Sequence, residues 1–142
     1  MHFAFAPLLT LLLAALATGD SVSYDPIYDQ GSTSLSTVAC SDGPNGLETK
    51  GYTTFSSLPA FPNIGGVPAI AGWNSPNCGT CWQLTYTPAG ASAISIYVLG
   101  IDHSVGYNIA LEAMNTLTNG QAVDLGRVDV AAVQVDPSNC LM

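Results

Sequence analysis

Cys81-Trp-Gln-Leu-Thr-Tyr-Thr87 and Ile94-Ser-Ile-Tyr-Val-Leu99 are the two stretches that decide the fold. Apolar and polar side chains alternate along the first, which predicts a strand with one buried face. The second is apolar at nearly every position, which is typical of a strand at the centre of a sheet. Pro88-Ala-Gly90 turns the chain between them. The protein is therefore expected to be built mainly from β-strands.

Further short strands are predicted on both sides of this pair. Short apolar or alternating runs recur at four places, Ser21–Tyr24, Val38–Cys40, Val128–Val130 and Val133–Val135. The segment from Asn63 to Asn77 is rich in Gly, Pro and Asn and is predicted to be a long loop or a bulged strand. About six short strands in one small chain favour a closed barrel, because closure removes unpaired edges.

One helix is predicted in the second half of the chain. Asn108 can cap its start, apolar residues recur at helical spacing, and Asn119-Gly120 supplies a left-handed stop after about Thr118. The stretch from Phe55 to Phe61 has room for a second, short helix. The expected fold is therefore mainly β with one or two short helices.

The first residues predict export. Residues 3–17 are almost wholly apolar, and a run of about 15 residues is short for a bilayer span but fits the core of a signal peptide. A retained anchor is disfavoured because polar sequence starts abruptly at Thr18. We interpret residues 1–19 as a signal peptide cleaved near residues 17–20, which leaves one domain over residues 20–142. The mature protein is expected to be secreted, and extracellular or associated with a cell wall.

The charge balance excludes two classes of partner. The chain carries 2 basic and 10 acidic residues, for a formal net charge of −8. Phosphate backbones and anionic membrane surfaces are bound mainly through Lys and Arg, so we expect binding neither to nucleic acid nor to a membrane. The polar surface consists instead of Ser, Thr, Asn, Gln and Gly, which suits neutral ligands. We expect no cofactor.

The cysteines predict two structural disulfides. There are four of them, an even count behind a signal peptide, at positions Cys40, Cys78, Cys81 and Cys140. Four cysteines allow three connectivities, and the sequence alone does not choose among them. The Cys78-Gly-Thr-Cys81 step is also compatible with a redox motif or half of a zinc site, but a zinc site would usually show a second close pair. We expect no metal.

Six short motifs follow one another in a characteristic order. They are Ser21-Val-Ser-Tyr-Asp25, Val38-Ala-Cys-Ser-Asp-Gly43, Phe61-Pro-Asn-Ile-Gly-Gly66, Asn74-Ser-Pro-Asn-Cys-Gly-Thr-Cys81, Ile101-Asp-His103 and Asn119-Gly-Gln-Ala-Val123. No single motif is decisive, but their joint order and spacing resemble the cerato-platanin family of small secreted fungal proteins. The resemblance covers essentially the whole of the mature chain.

This resemblance implies a fold and a set of activities. The fold is a six-stranded double-psi β-barrel, similar to the first domain of expansins, with bridges Cys40–Cys78 and Cys81–Cys140. The activities are binding of N-acetylglucosamine oligomers, loosening of cellulosic material without hydrolysis, self-assembly at surfaces and elicitation of plant defence. Members of the family differ in which of these they show, so the family fixes the fold better than the function.

Asp102 is the best single candidate for a binding residue. It follows the central strand directly, and by resemblance it lies where expansin-like folds carry an acidic groove residue. Its carboxylate can accept hydrogen bonds from sugar hydroxyls and amides, although a structural role at the loop start fits equally well. His103 is adjacent, but neighbouring residues on a strand point to opposite faces. We therefore interpret His103 as groove-lining or structural rather than catalytic.

Asp42 is the second acidic candidate. Glycoside hydrolysis usually needs two carboxylates separated by roughly 5 to 9.5 Å, and Asp42 with Asp102 would supply such a pair. An Asp before Gly is also common turn chemistry, and that interpretation is favoured. We assign no catalytic residue.

Aromatic and amide side chains complete the candidate site. Trp73 lies in a Gly/Pro/Asn-rich loop and is expected to be exposed, where its face can stack on a sugar ring; Tyr24 is a further stacking candidate, and Asn74 can hydrogen-bond an N-acetyl group. Trp82 alternates with buried strand positions and is expected to belong to the core.

Three functions remain open. The first is a non-catalytic carbohydrate-binding protein that acts on cell walls, with chitin or N-acetylglucosamine oligomers as ligand, cellulose as a second candidate, and expansin-like wall loosening as a related activity. The second is an effector or elicitor recognised by a host receptor in plant immunity. The third, least favoured, is a weak glycoside hydrolase. We expect a monomer that can self-assemble at surfaces.

Overall fold

A computed structural model describes residues 19–142. The predicted signal peptide and its cleavage sites up to residue 18 lie outside the described residues. The strands are β1 Asp20–Tyr24, β2 Ile64–Val67, β3 Cys81–Tyr86, β4 Ile94–His103, β5 Tyr107–Ile109 and β6 Arg127–Val135; the helices are α1 Leu111–Thr118 and α2 Ala122–Leu125.

The six strands form a closed barrel in the order β1-β5-β2-β4-β3-β6. The pairs β1–β5 and β2–β4 are parallel, and the other four are antiparallel. Both disulfides form, Cys40–Cys78 and Cys81–Cys140. The predicted double-psi barrel and the implied cysteine pairing are confirmed. Of the helices, α1 was predicted, the stretch from Phe55 to Phe61 holds only a 3-10 turn at Phe55–Ser57, and α2 was not predicted.

Strand β6 closes the barrel by pairing with two neighbours in turn. Its first half, Arg127–Val130, pairs with β1, and its second half, Ala131–Val135, pairs with β3. The two C-terminal strands predicted from the sequence are therefore one continuous strand.

The Gly-rich segment after Asn63 is a bulged strand, as the sequence allowed. The register of β2 against β4 shifts between Gly65 and Gly66. At Gly65 a Cβ atom would collide with the backbone carbonyl of Asn108 on β5. Only glycine permits this close approach of two strands.

Two local predictions were wrong. Val38–Cys40 is not a strand, because its backbone does not form a ladder of hydrogen bonds with a neighbouring strand. Instead, the Ala39 N–H donates to the Asp102 carboxylate and the Cys40 N–H donates to the Ile101 carbonyl. Asn108 does not cap a helix but lies within β5. Helix α1 begins at Leu111, whereas its end at left-handed Asn119 was predicted correctly.

The core fills the barrel and the space beneath α1. The fully buried side chains include Ile64, Leu84, Leu99, Ile101, Ile109, Met114 and Leu117. Among residues 19–142, no helix has the length and hydropathy needed to cross a membrane.

Candidate functional site

A cleft of about 270 Å³ opens where strand β4 ends. We call it the Asp102 groove. Its walls combine two carboxylates, two threonines and apolar side chains, contributed by Asp25, Ile27, Tyr28, Thr33, Thr37, Val38, Phe55 and Asp102. Hydrogen-bond acceptors set among apolar side chains give a surface suited to a ligand that carries both hydroxyls and C–H faces.

Asp102 organises one wall of this groove. Its Oδ1 accepts two backbone N–H groups, that of Ala39 at 3.0 Å and that of His103 at 2.9 Å. Its Oδ2 accepts the hydroxyl of Tyr28 at 3.3 Å. The residue is half-buried, and Oδ2 keeps acceptor capacity because a carboxylate oxygen takes two donors. Asp102 thus has the structural role that the sequence left open, with one oxygen still able to bind a ligand.

Tyr28 is the groove residue that the sequence did not single out. Its side chain is buried and its ring stacks on Phe55, with ring centroids 5.9 Å apart. Burial, and secondly the charge of Asp102, raises the pKa of Tyr28 well above its usual range. The phenol therefore stays protonated and acts as a fixed hydrogen-bond donor to Asp102.

The turn that carries Tyr28 is fixed by the neighbouring helix. Pro26–Asp29 forms a 3-10 turn, and the Asp29 carboxylate accepts the N–H groups of Leu111 at 2.7 Å and Glu112 at 2.9 Å. Helix α1 has no side-chain cap of its own, since Ala110 occupies its N-cap position. Asp29 supplies the missing cap from 82 residues away and complements the positive end of the helix dipole.

His103 is directed away from the carboxylate beside it. Its Nδ1 lies 2.6 Å from the carbonyl oxygen of Ile70. A carbonyl only accepts, so Nδ1 carries the proton and donates it to this bond. Only the backbone N–H of His103 bonds Asp102; the imidazole points to the other side of the strand, and His103 does not line the groove.

Asp42, Trp73 and Asn74 lie together, but outside the Asp102 groove. Trp73 is 62% exposed, as predicted, and its indole Nε1–H donates to Asp42 Oδ1 at 2.7 Å. Asn45 donates both of its bonds to Asn74. The backbone N–H of Asn45 bonds the side-chain oxygen of Asn74 at 2.9 Å, and the side-chain NH2 of Asn45 bonds the backbone carbonyl of Asn74 at 3.0 Å. We call this cluster, with Gly43, the Trp73 platform. The predicted site is thus divided into two regions.

Tyr24 belongs to neither region. It lies at the end of β1, half-buried against the core, opposite Ile109. Trp82 packs beside Tyr107, with ring centroids 6.0 Å apart, and is partly buried against the core, in keeping with its predicted role.

The acidic residues pair differently from the sequence hypothesis. Asp42 makes its contacts with Trp73 and Ser41, whereas the second carboxylate in the Asp102 groove is Asp25. The signal for Asp25 was present in the motif Ser21-Val-Ser-Tyr-Asp25, but Tyr28 and Asp29 gave none. Within residues 19–142 no group of three His, Cys, Asp or Glu side chains is placed to hold a metal ion.

The protein is a compact β-protein. Its small closed barrel carries two disulfides, a groove at the end of the longest strand and an exposed tryptophan beside that groove. Residues 20–142 match the family model described as Cerato-platanin. The chain belongs to the cerato-platanin family, which confirms the resemblance noted in the sequence.

Relatives support this assignment along most of the chain. The protein named Allergen Asp f 15 of Aspergillus fumigatus is 54% identical over 121 residues, 84% of this chain and 76% of the relative. The crystal structure of cerato-platanin 1 from M. perniciosa has a TM-score of 0.83 and 52% identity, and the match covers 85% of this chain and 98% of that one. The solution structure of the fungal elicitor Cerato-Platanin has a TM-score of 0.74 and 47% identity, over 85% of this chain and 96% of that one.

Proposed function

We propose that this protein is a secreted, non-catalytic carbohydrate-binding protein that takes N-acetylglucosamine oligomers, such as those of chitin, in the Asp102 groove. Wall loosening would follow from such binding to a polysaccharide. The observation that carries the proposal is the Asp102 carboxylate, whose Oδ2 accepts only from Tyr28 and which lies among threonines and apolar side chains at the end of β4.

The groove chemistry matches a neutral sugar. Asp102 Oδ2 can accept a hydroxyl or amide proton, and Thr33 and Thr37 can donate or accept. Ile27 and Val38 offer apolar contact to the C–H faces of a sugar ring and to an N-acetyl methyl group. Because these contacts replace good water contacts, each hydrogen bond contributes only about 1 kcal/mol net. Affinity should be weak and should rise with oligomer length.

The hydrogen bonds of the carboxylates favour binding over hydrolysis. A glycosidase needs one carboxyl group free to donate a proton and a second free to attack or to activate water. Asp102 already accepts from three donors, and Asp25 Oδ1 accepts the N–H of Ile27 at 3.0 Å. Both carboxylates are used to hold the groove in shape.

An elicitor role is the second candidate. The observation that favours it is the 47% identity to a structure described as a fungal elicitor. The two functions are compatible, since a protein that sequesters wall fragments also changes what a host perceives. Defence responses of plant tissue to the wild type and to a groove variant would separate them: a direct receptor contact outside the groove would leave the response unchanged in the variant.

The test of the proposed function is a calorimetric titration with N-acetylglucosamine trimer and tetramer, using wild type and Asp102→Asn. The asparagine oxygen can take the place of Oδ1 and keep the Ala39 N–H, so the loop stays anchored. Its NH2 group then replaces Oδ2, which removes both the charge and the acceptor proposed for the ligand. We expect roughly a 5-fold loss of affinity. Asp129→Asn, which removes the same charge from an exposed position on β6, is the control and should bind like wild type.

A parallel incubation tests for cleavage. Oligomers kept with the protein for days and then separated by chain length should remain intact. Equal affinity of the Asp102 and Asp129 variants would place the site elsewhere. Shortened oligomers that disappear with Asp102→Asn would make the protein a glycoside hydrolase.

A further inference from the structure

Trp73 is a large aromatic side chain that the Asp102 groove leaves unexplained. It is 62% exposed in a Gly/Pro/Asn-rich loop, where nothing in the core needs it. An indole held open to solvent gives up the free energy of burial that it would gain inside the protein. A single exposed apolar side chain is ordinary on a protein surface, and what distinguishes Trp73 is the way in which its ring is held.

The indole is held rigidly at its edges. On one side its Nε1–H donates to Asp42 Oδ1. On another, the ring lies against Gly43, where a Cβ would come within 3.0 Å of Cζ2 and where φ is +82°. Glycine therefore serves both the left-handed turn and the close approach of the ring. The contacts fix the orientation of the ring while leaving most of it accessible.

The two loops that form the platform are tied to each other. Asn45 donates two hydrogen bonds to Asn74 across them, and the Cys40–Cys78 bridge joins the same two segments. Asn74 adopts a left-handed conformation with φ 58°, which asparagine tolerates better than most residues. A preorganised surface of this kind loses little conformational entropy when a ligand binds.

We propose that the Trp73 platform is a second saccharide-binding site, which takes one pyranose ring of a neutral β-linked glycan. Equatorial substituents leave the axial C–H bonds of such a ring free to pack on the indole face. Asp42 Oδ2 and the polar groups of Asn74 lie at the rim, where they can bond the ring hydroxyls. The carboxylate at this rim and the net charge of −8 disfavour glycans that carry uronic acids.

The platform and the groove are neighbours along one short segment. Val38 lines the groove, Ala39 bonds Asp102, and Asp42 bonds Trp73. Four peptide steps separate Val38 from Asp42, which limits their Cα distance to about 14 Å. A glycan longer than this distance has the length to contact both regions, and the second contact would add affinity by raising the effective concentration. This inference rests on the proposed function of the groove.

The experiment compares short and long ligands. Trimer and hexamer of N-acetylglucosamine are titrated into wild type, Trp73→Ala, Trp73→Phe and the control Tyr97→Ala, which removes an exposed aromatic ring from the outer face of β4. We expect Trp73→Ala to weaken hexamer binding by about 3- to 10-fold and to leave trimer binding unchanged. Trp73→Phe, which keeps an aromatic face, should lie between, and Tyr97→Ala should match wild type. In wild type, hexamer but not trimer should protect tryptophan fluorescence from acrylamide.

The outcomes separate this inference from the proposed function. Hexamer binding that is the same in Trp73→Ala and wild type, but weakened by Asp102→Asn, would remove the platform and leave the groove in place. Hexamer binding that depends on Trp73 but not on Asp102 would support the platform and overturn the groove. No binding of either oligomer would overturn both.

Discussion

The Asp102 groove and the Trp73 platform are neighbouring regions built on different principles. The groove is made of half-buried groups tied by long-range hydrogen bonds, Tyr28 to Asp102 over 74 residues and Asp29 to Leu111 over 82. The platform is made of exposed and half-buried loop residues, fixed by one disulfide, the hydrogen bond from the Trp73 indole to Asp42, and the hydrogen bonds from Asn45 to Asn74. The groove therefore depends on the whole fold, whereas the platform depends on the few contacts that link its two loops.

The largest effect is expected from the disulfide that joins the two loops of the platform. Replacing both cysteines of the Cys40–Cys78 bridge with alanine opens a 38-residue loop and should lower the free energy of unfolding by about 4 kcal/mol, because the unfolded chain gains freedom. Thermal and urea unfolding followed by circular dichroism measures the loss.

The Cys81–Cys140 bridge provides the matched control. It closes 59 residues, so its removal should cost about as much stability, yet it ties the end of the chain to β3 rather than the two loops. We expect hexamer binding to fall only when Cys40–Cys78 is removed. If the two double variants bind alike, the bridge does not organise the sites.

The cap from Asp29 should have the next largest effect. Asp29→Ala leaves the Leu111 and Glu112 amides without their acceptor and should reduce the free energy of unfolding by about 1–2 kcal/mol. Because the same residue fixes the turn that carries Tyr28, groove affinity should fall as well, while quenching of Trp73 by acrylamide stays as in wild type. Glu112→Gln, which changes an exposed charge on the same helix turn, is the control. A change in Trp73 quenching would contradict the independence of the platform.

Alkaline pH should lower the free energy of unfolding. Burial raises the pKa of Tyr28 above its usual range, and burial, then the charge of Asp20, raises that of Tyr107 to about 12. In the unfolded chain both titrate near pH 10. The stability that they contribute is therefore complete below about pH 10 and declines as the pH rises toward the folded values, because the unfolded chain releases these protons first.

Tyr28→Phe isolates one of these two groups. At neutral pH it should cost about 0.5–1.5 kcal/mol for the lost bond to Asp102. Above pH 10 the free energy of unfolding should decline less steeply with pH than in wild type. The difference in slope corresponds to at most about one fewer proton released on unfolding. Urea unfolding at a series of pH values measures this, and identical slopes for the two proteins would contradict the buried position of the Tyr28 hydroxyl.

The smallest effect on stability is expected at the platform. Asp42→Ala removes the acceptor of the exposed indole and should change the free energy of unfolding by less than about 0.5 kcal/mol. The freed ring should show increased depolarisation of tryptophan fluorescence, whereas Asp42→Asn, which keeps an acceptor oxygen, should resemble wild type. Unchanged depolarisation in Asp42→Ala would show that the Gly43 contact alone holds the ring.

The same contrast explains which features could be predicted from the sequence. Period-two alternation located β3, a nearly continuous apolar run located β4, and the Gly/Pro/Asn-rich composition indicated that Trp73 would be exposed. The pairing of one long β6 with two strands was not predictable, because local alternation does not reveal which neighbours a strand has. The Asp29 cap and the Tyr28 bond were not predictable either, since each joins residues more than 70 positions apart through tertiary structure.

The most direct test of the central claim is an amide NMR titration of the wild-type protein with N-acetylglucosamine trimer. We expect dose-dependent shifts that cluster at Asp25–Tyr28, Thr37–Ala39 and Asp102, with no shift on the outer face of β3 and β6. Shifts confined to that outer face, or no shifts at ligand concentrations in the millimolar range, would contradict a saccharide-binding groove at Asp102.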